Sequence, residues 1–399
     1  MIAARLLDVL LVLVLVVYLG EGWRNGILRS LIVILGVVAG GVAAYFAVPV
    51  VAAAIPAPEW RIAVSIALAV LLLGAGHLIG ATIERAVRGR RTDDRRRARE
   101  LTTAERLLGA GANLLTAALV VTLVAGSVAQ LGVPVLSQAV KRSVVVGTIE
   151  RLTPAPLDDG LSRIRAAILE QGIPTIDEAL GGVAAGQQPP DVDTATDPLA
   201  AAARSVARIS GTAYACGQNQ SGSGFIIAPE RIVTNAHVVA GVDNPIVELP
   251  DGQILDGRVV LFDPRLDVAV IAVPDLEGTP LVAADAGIGA RGVVDGYPHG
   301  GPFVSAPAEV RAISDERVVD IYGDDSDTRE VLTLAAEVQP GNSGGPFITL
   351  DGRVAGLVFA RNSEHANIGY ATTTAGLAAV YAEAASLTAP VSSGRCVSG

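Results

Sequence analysis

The sequence predicts two structural classes in one chain: an all-α membrane domain of four helices, followed by an all-β domain. Three observations predict this. Hydrophobic residues make up 51% of the 399 residues while charged residues still reach 18%, so the apolar excess must be segregated. Four long apolar stretches fall in the first third of the chain. From about Ser205 the pattern changes to short apolar runs broken by Gly, Asn, Asp and Pro, the spacing of a barrel or sandwich. A net charge of −10 argues against a nucleic-acid partner, which needs clustered cations on its contact face.

The apolar stretches run roughly Ala3–Leu19, Ile27–Ala54, Arg61–Ile83 and Leu107–Val135. A helix needs about 20 apolar residues to cross the hydrocarbon layer. The last three reach this, and the first lies near the lower limit. The first has no strongly basic leading segment and no good cleavage site, so it reads as a retained helix rather than a signal peptide. Arginines crowd the loop Glu84–Arg106, and Arg24 and Arg29 lead into the second span, while Val48–Trp60 has no Lys or Arg. Basic short loops stay in the cytoplasm, so the N-terminus and everything after the fourth span are expected outside. Gly36 and Gly40, like Gly76 and Gly80, have the spacing that lets helices approach closely, and self-association through them is one expectation. His77 lies within the third span. It reads as a neutral imidazole bonded to a neighbouring helix, with a proton or ligand site as the alternative. This block resembles the colicin V production (CvpA) family in span number, spacing and small-residue content.

Residues 137–204 form a connecting segment. Periodicity over Ile164–Leu169 suggests a short amphipathic helix, and Ile176–Leu180 suggests another helical turn. The run Gly186–Asp193 reads as an exposed linker, a tether or a site of self-cleavage.

The β-type runs after Ser205 include Gly224–Ile227, Ile232–Thr234, Ile246–Leu249, Val259–Phe262, Val268–Val273, Val331–Leu334, Phe347–Leu350 and Val354–Phe359, with a helical end over Thr374–Ser386. The chain has four histidines. His237 follows an apolar run in TNAHVV, Asp267 opens DVAVI, and Ser343 sits in GNSGGP. A serine hydroxyl is a poor nucleophile until a neutral imidazole accepts its proton. The imidazole in turn needs a carboxylate to fix its tautomer and stabilise the imidazolium. The glycines let the backbone turn so that the Gly341 and Ser343 amides point at one spot, an oxyanion hole. His299 and His365 read as loop residues. Neither has the partners a metal site needs, and no metal or cofactor is expected.

The three motifs, in this order, resemble the chymotrypsin-fold serine proteases, particularly the bacterial HtrA/DegP-like branch. The resemblance covers about Ser205 to Glu383. It implies two packed six-stranded β-barrels with the triad Ser343, His237 and Asp267 in the cleft between them. It also implies a pocket wall along Gly356–Arg361, with Gly356 and Phe359. The opposite wall falls on Tyr370–Thr373, with Tyr370 and Thr372, and Glu337 lies near the pocket base. An acid there would favour basic substrate residues, unless Glu337 points to solvent. The strand Gly356–Arg361 would pair with an extended peptide substrate. Too little chain follows Ser343 for a PDZ domain, so none is expected.

Cys216 and Cys396, at the two ends of this domain, are the only cysteines. Outside the cytoplasm a disulfide is the favoured reading. Two buried reduced thiols and a redox-sensitive staple are the alternatives. The whole arrangement, 1–136 as membrane domain and 205–399 as catalytic domain, resembles the actinobacterial acid-resistance membrane proteases (MarP-like). That implies cleavage of cell-envelope proteins, contact with membrane lipids and a part in acid and oxidative stress resistance. Two other classes compete: a transporter with an accessory outer domain, and an inactive protease-like sensor. Flux through residues 1–136 would favour the first, and an unreactive Ser343 the second.

Overall fold

The computed structural model describes residues 2–55, 58–91, 102–129, 139–140, 143–153, 174–176, 188–216 and 218–397. The short helix expected over Ile164–Leu169 and the middle of the arginine-rich loop lie outside these residues. The chain divides into two compact units, one of apolar helices and one rich in strands.

The helical unit contains α1 (Ile2–Asn25), α2 (Ile27–Ala53), α3 (Pro58–Arg91) and α4 (Thr103–Ala129), with a short helix at Val144–Leu152. Large apolar side chains such as Val9, Leu35, Phe46 and Leu71 are exposed, an arrangement suited to lipid rather than water. Among the described residues, Ala4–Asn25, Ser30–Val48 and Thr103–Thr122 are long and apolar enough to cross a membrane, and Ala67–Ile83 is a shorter apolar stretch. The first span is therefore longer than its sequence suggested, and the third is shorter, its apolar run starting only after Arg61.

Small residues bring the helices together in pairs. A methyl group on Gly36 would lie 2.4 Å from the Gly76 carbonyl oxygen, and one on Gly76 would lie 2.2 Å from that of Gly36. Gly40 abuts Leu72 and Gly80 abuts Val33. Both glycine pairs are thus used between α2 and α3 of a single chain. This is the close packing of spans that their spacing suggested, made here within one chain. Gly36→Leu is expected to cost about 2 kcal/mol by overpacking, seen as a lower thermal midpoint in detergent. Gly20→Leu, where a methyl group would touch nothing, is the control. His77 Nδ1 lies 3.4 Å from the Tyr18 hydroxyl, the interhelical partnership expected of a neutral imidazole. The short helix is capped from a distance. Ser143 Oγ donates to Asp8 Oδ1 at 2.5 Å, and the Val144 and Val145 amides donate to the same carboxylate at 3.3 and 3.2 Å.

The strand-rich unit holds two seven-stranded sheets. The first is built from β2 (Val206–Ala213), β3 (Gln218–Ala228), β4 (Arg231–Thr234), β5 (Ile246–Glu248), β6 (Ile254–Asp256), β7 (Arg258–Asp263) and β8 (Val268–Ala272). Its order is β6-β5-β2-β3-β4-β8-β7. It has seven strands rather than six because one segment bends at Gly257, whose amide bonds the Pro245 carbonyl at 2.8 Å. The bend hands the chain from β5 to β8, as corners of curved sheets do.

The second sheet contains β9 (Arg291–Gly296), β10 (Val304–Val319), β11 (Ser326–Ala336), β12 (Pro346–Thr349), β13 (Val354–Asn362) and β14 (Ile368–Thr373). β13 pairs with both β12 and β14, so these six return on themselves. The seventh strand is β1, Thr175–Ile176, which adds parallel to Arg361–Asn362. Ile176 was read as part of a helical turn. It is instead extended, because β13 runs past the end of β12 and offers free backbone groups: the Arg361 amide bonds Pro174 O at 3.1 Å and the Ser363 amide bonds Ile176 O at 3.2 Å. A short helix, Asp197–Ala203, precedes β2, and its Leu199 and Ala202 join the buried cluster that includes Phe225, Val293, Tyr297 and Leu357. The predicted terminal helix is observed at Ala378–Glu383. Cys216 and Cys396 form a disulfide, with Cα atoms 6.4 Å apart.

Candidate active site

His237 lies in a single helical turn, Ala236–Val239, directly after β4. The Asp267 carboxylate wraps its ring nitrogen: Nδ1 is 2.8 Å from Oδ2 and 3.0 Å from Oδ1. The His237 amide also donates to Oδ1 at 3.0 Å. Asp267 is 4% exposed and holds a left-handed backbone, φ 53°. The Asn235 side-chain amide donates to the Asp267 carbonyl at 2.8 Å. One face of the imidazole ring system is therefore fixed, leaving Nε2 to do chemistry.

Ser343 sits between β11 and β12 and is 2% exposed. Gly341 and Gly344 on either side have φ of 97° and 82°. A Cβ at Gly344 would collide with Ser223 O and Thr234 Oγ1, so no other residue fits there. Ser223 of β3 ties this loop to the first sheet. Its amide donates to the Ser343 carbonyl at 2.7 Å, and its hydroxyl donates to Gly341 O at 2.7 Å. That hydroxyl also accepts the Tyr297 amide at 3.0 Å, and Thr234 Oγ1 donates to Ser223 O at 2.7 Å. The His299 amide bonds Pro340 O at 2.5 Å. His299 thus holds this loop through its backbone. Ser343 Oγ and His237 Nε2 are both buried and without hydrogen-bond partners among the described residues. Each therefore has bonding capacity left for a substrate or for the other, and catalytic hydrogen bonds commonly tighten only when substrate is bound.

The remaining expected site residues fall differently. Phe359 and Tyr370 pack in one buried cluster with Val331 and Ile368. Gly356 and Thr372 sit in the β13–β14 ladder, Gly356 opposite Thr373 and Thr372 opposite Leu357. Thr372 is 1% exposed. Glu337 stands apart: it is exposed and accepts a hydrogen bond from Gln339 Nε2. It is not a buried acid: Ala336 and Val338 on either side of it point inward, so the alternation at the end of β11 sends the Glu337 side chain to solvent. Ser223 and Arg329 were not anticipated, since each acts across strands distant in sequence, whereas Thr234 and Asn235 lie in the TNAHVV run, where no role had been read for them. No group of three or more metal-ligating side chains occurs among the described residues.

A buried serine beside left-handed glycines, in a domain that also holds a histidine clasped by a buried carboxylate, is the residue set of a trypsin-like serine protease. Residues 222–357 match the trypsin-like peptidase domain model, and residues 7–154 match that of colicin V production protein. Serine protease Rv3671c of Mycobacterium tuberculosis is 35% identical over the full length of both chains, and this chain belongs to the same family. The crystal structure of the Rv3671c protease in its active form has 40% identity and a TM-score of 0.52, covering 56% of this chain and 98% of that one. A DegP-like periplasmic serine endoprotease of Halomonas elongata is 34% identical over 38% of this chain and 32% of its own length.

Proposed function

We propose that this serine protease is an endopeptidase held in the cytoplasmic membrane by four crossings, with its catalytic domain on the outer side. Ser343 is the nucleophile, His237 the base and Asp267 the group that orients it. The observation that carries this reading is the carboxylate of Asp267 closed around His237 Nδ1. Neutral Nε2 accepts the Ser343 proton as the oxygen attacks the scissile carbonyl. The Gly341 and Ser343 amides stabilise the oxyanion. His237 then protonates the leaving amine, and water repeats the cycle on the acyl-enzyme. The two sheets are read as the two barrels flanking this cleft.

The arginine distribution supports the sidedness. The Asp8–Ser143 bond joins α1 near its start to a residue beyond α4, which favours an even number of crossings between them and is silent on which side they face. Substrates are extended segments of envelope proteins, consistent with the family resemblance, which also supports a part in acid and oxidative stress resistance. The linker before Asp197 is the proposed site of self-cleavage. Because His237 must be neutral to act, catalysis itself should fall in acid.

Labelling of the full chain with a fluorophosphonate probe tests the assignment. Wild type is expected to label at Ser343, and Ser343→Ala is expected not to. Labelling elsewhere, or no labelling of a folded wild type, would overturn it.

A further inference from the structure

Arg329 lies on β11 of the second sheet, 5% exposed. A buried guanidinium is costly unless its charge is used. Its Nη1 donates to the carbonyl of Leu266, a residue of the first sheet's β7–β8 turn. Its Cζ lies 4.1 Å from the centre of the Phe359 ring, a cation–π contact. Phe359 follows Val358, whose amide and carbonyl pair with Gly345 and Gly344 beside the nucleophile. Nε is buried without a hydrogen-bond partner among the described residues. Burial works against its charge, and the carboxylates of Asp267, then Asp263 and Asp327, favour it.

The place of the Leu266 bond matters most. The Leu266 carbonyl belongs to the peptide plane that joins Leu266 to Asp267. Rotation of that plane sets the Asp267 φ, and this φ is the left-handed 53°. Such a conformation is uncommon outside glycine and persists only when its surroundings hold it. The plane on the other side of Asp267 is held by Asn235. Asp267 is thus gripped before and after, once from each sheet. We propose that Arg329 is a positioning residue for the reaction: it clamps the Leu266–Asp267 peptide from the opposite sheet and, stacked on Phe359, ties the orientation of the carboxylate to the half of the domain that carries Ser343. The proposal rests on the assignment of Asp267 as the orienting acid.

The test is a double-mutant cycle on the full chain in detergent, using a chromogenic peptide. Arg329→Met keeps the length and the contact with Phe359 but removes both charge and donor. It is expected to lower kcat roughly 100-fold, the scale of a misplacement near 1 Å, with KM changed less than about twofold. Arg329→Lys, which keeps the charge and one donor, should recover most of the loss. In an Asp267→Ala background, Arg329→Met should cost nothing further, because it acts through Asp267. An equal loss in both backgrounds, or an unchanged kcat in Arg329→Met, would overturn the proposal while leaving the triad standing. Full activity in Asp267→Ala alone would instead overturn the triad reading beneath it. Circular dichroism and thermal midpoints identify a variant that fails to fold. If Arg329→Met does, Arg329→Lys and Asn235→Ala carry the same comparison.

Discussion

Replacing Ser343 with alanine is expected to lower kcat for peptide hydrolysis by roughly 10⁶-fold, the scale seen when a nucleophile or its base is removed from a triad. The loss should leave the fold intact. Ser343 Oγ makes no hydrogen bond among the described residues, and its loop is held by backbone contacts through Ser223 and by the Gly344–Val358 bond. Asp267→Ala should cost less, on the order of 3 × 10⁴-fold, because the imidazole can still accept a proton when it is no longer oriented. The ranking is as informative as the size. Progress curves with one peptide across the three enzymes measure it, and a Ser343→Ala enzyme within tenfold of wild type would end the assignment.

The second large effect concerns stability. Asp295 on β9 is fully buried, and neither carboxyl oxygen has a hydrogen bond of ordinary geometry. Burial raises its pKa to about 7, and the neighbouring Ser305 hydroxyl opposes the shift only weakly. The unfolded chain would hold the same group near the usual carboxylate value. Between these values the folded protein keeps a proton that the unfolded chain releases. Asp295 therefore adds stability that is complete below about pH 4 and lost as the pH rises to about 7. A shift of about three units corresponds to about 4 kcal/mol. Asparagine imitates the protonated acid at every pH. Asp295→Asn should match wild type near pH 4 and exceed it by a few kcal/mol near pH 8. Urea midpoints of both proteins at several pH values test this, and parallel curves would refute it.

The proposed nucleophile, base and acid could be picked out in the sequence because each sits in a local pattern with a local reason. GNSGGP encodes the left-handed turns around Ser343, and TNAHVV and DVAVI follow or open apolar strands. The apolar helices were visible for the same reason. What supports the site was not visible. Ser223 stands in a run of small residues, and Arg329 in a charged hairpin that reads as solvated surface. Both acquire their roles only when two sheets meet. Glu337 was left open by the sequence, its distance from Ser343 allowing either a pocket base or a solvent-facing side chain, and it is exposed. The strands β2, β9 and β10 were missed because Arg208, Asp295, Glu309 and Arg311 interrupt the apolar alternation. Three of these make compensating contacts: Arg208 and Glu309 in ion pairs with Glu248 and Arg291, and Arg311 with Glu309.

The Cys216–Cys396 bond joins residues 180 positions apart, and this gives the chain a covalent topology that its fold alone does not. His237, Asp267 and Ser343 all lie on the ring the bond closes, while every apolar helix lies on the open strand leading to it. A cut anywhere within the ring leaves one molecule, and only reduction separates its pieces. A cut between the helix Val144–Leu152 and Cys216 releases the ring whole. Proteolysis of this protein therefore has two distinct outcomes: nicking that leaves it tethered, and shedding that frees every member of the proposed triad together.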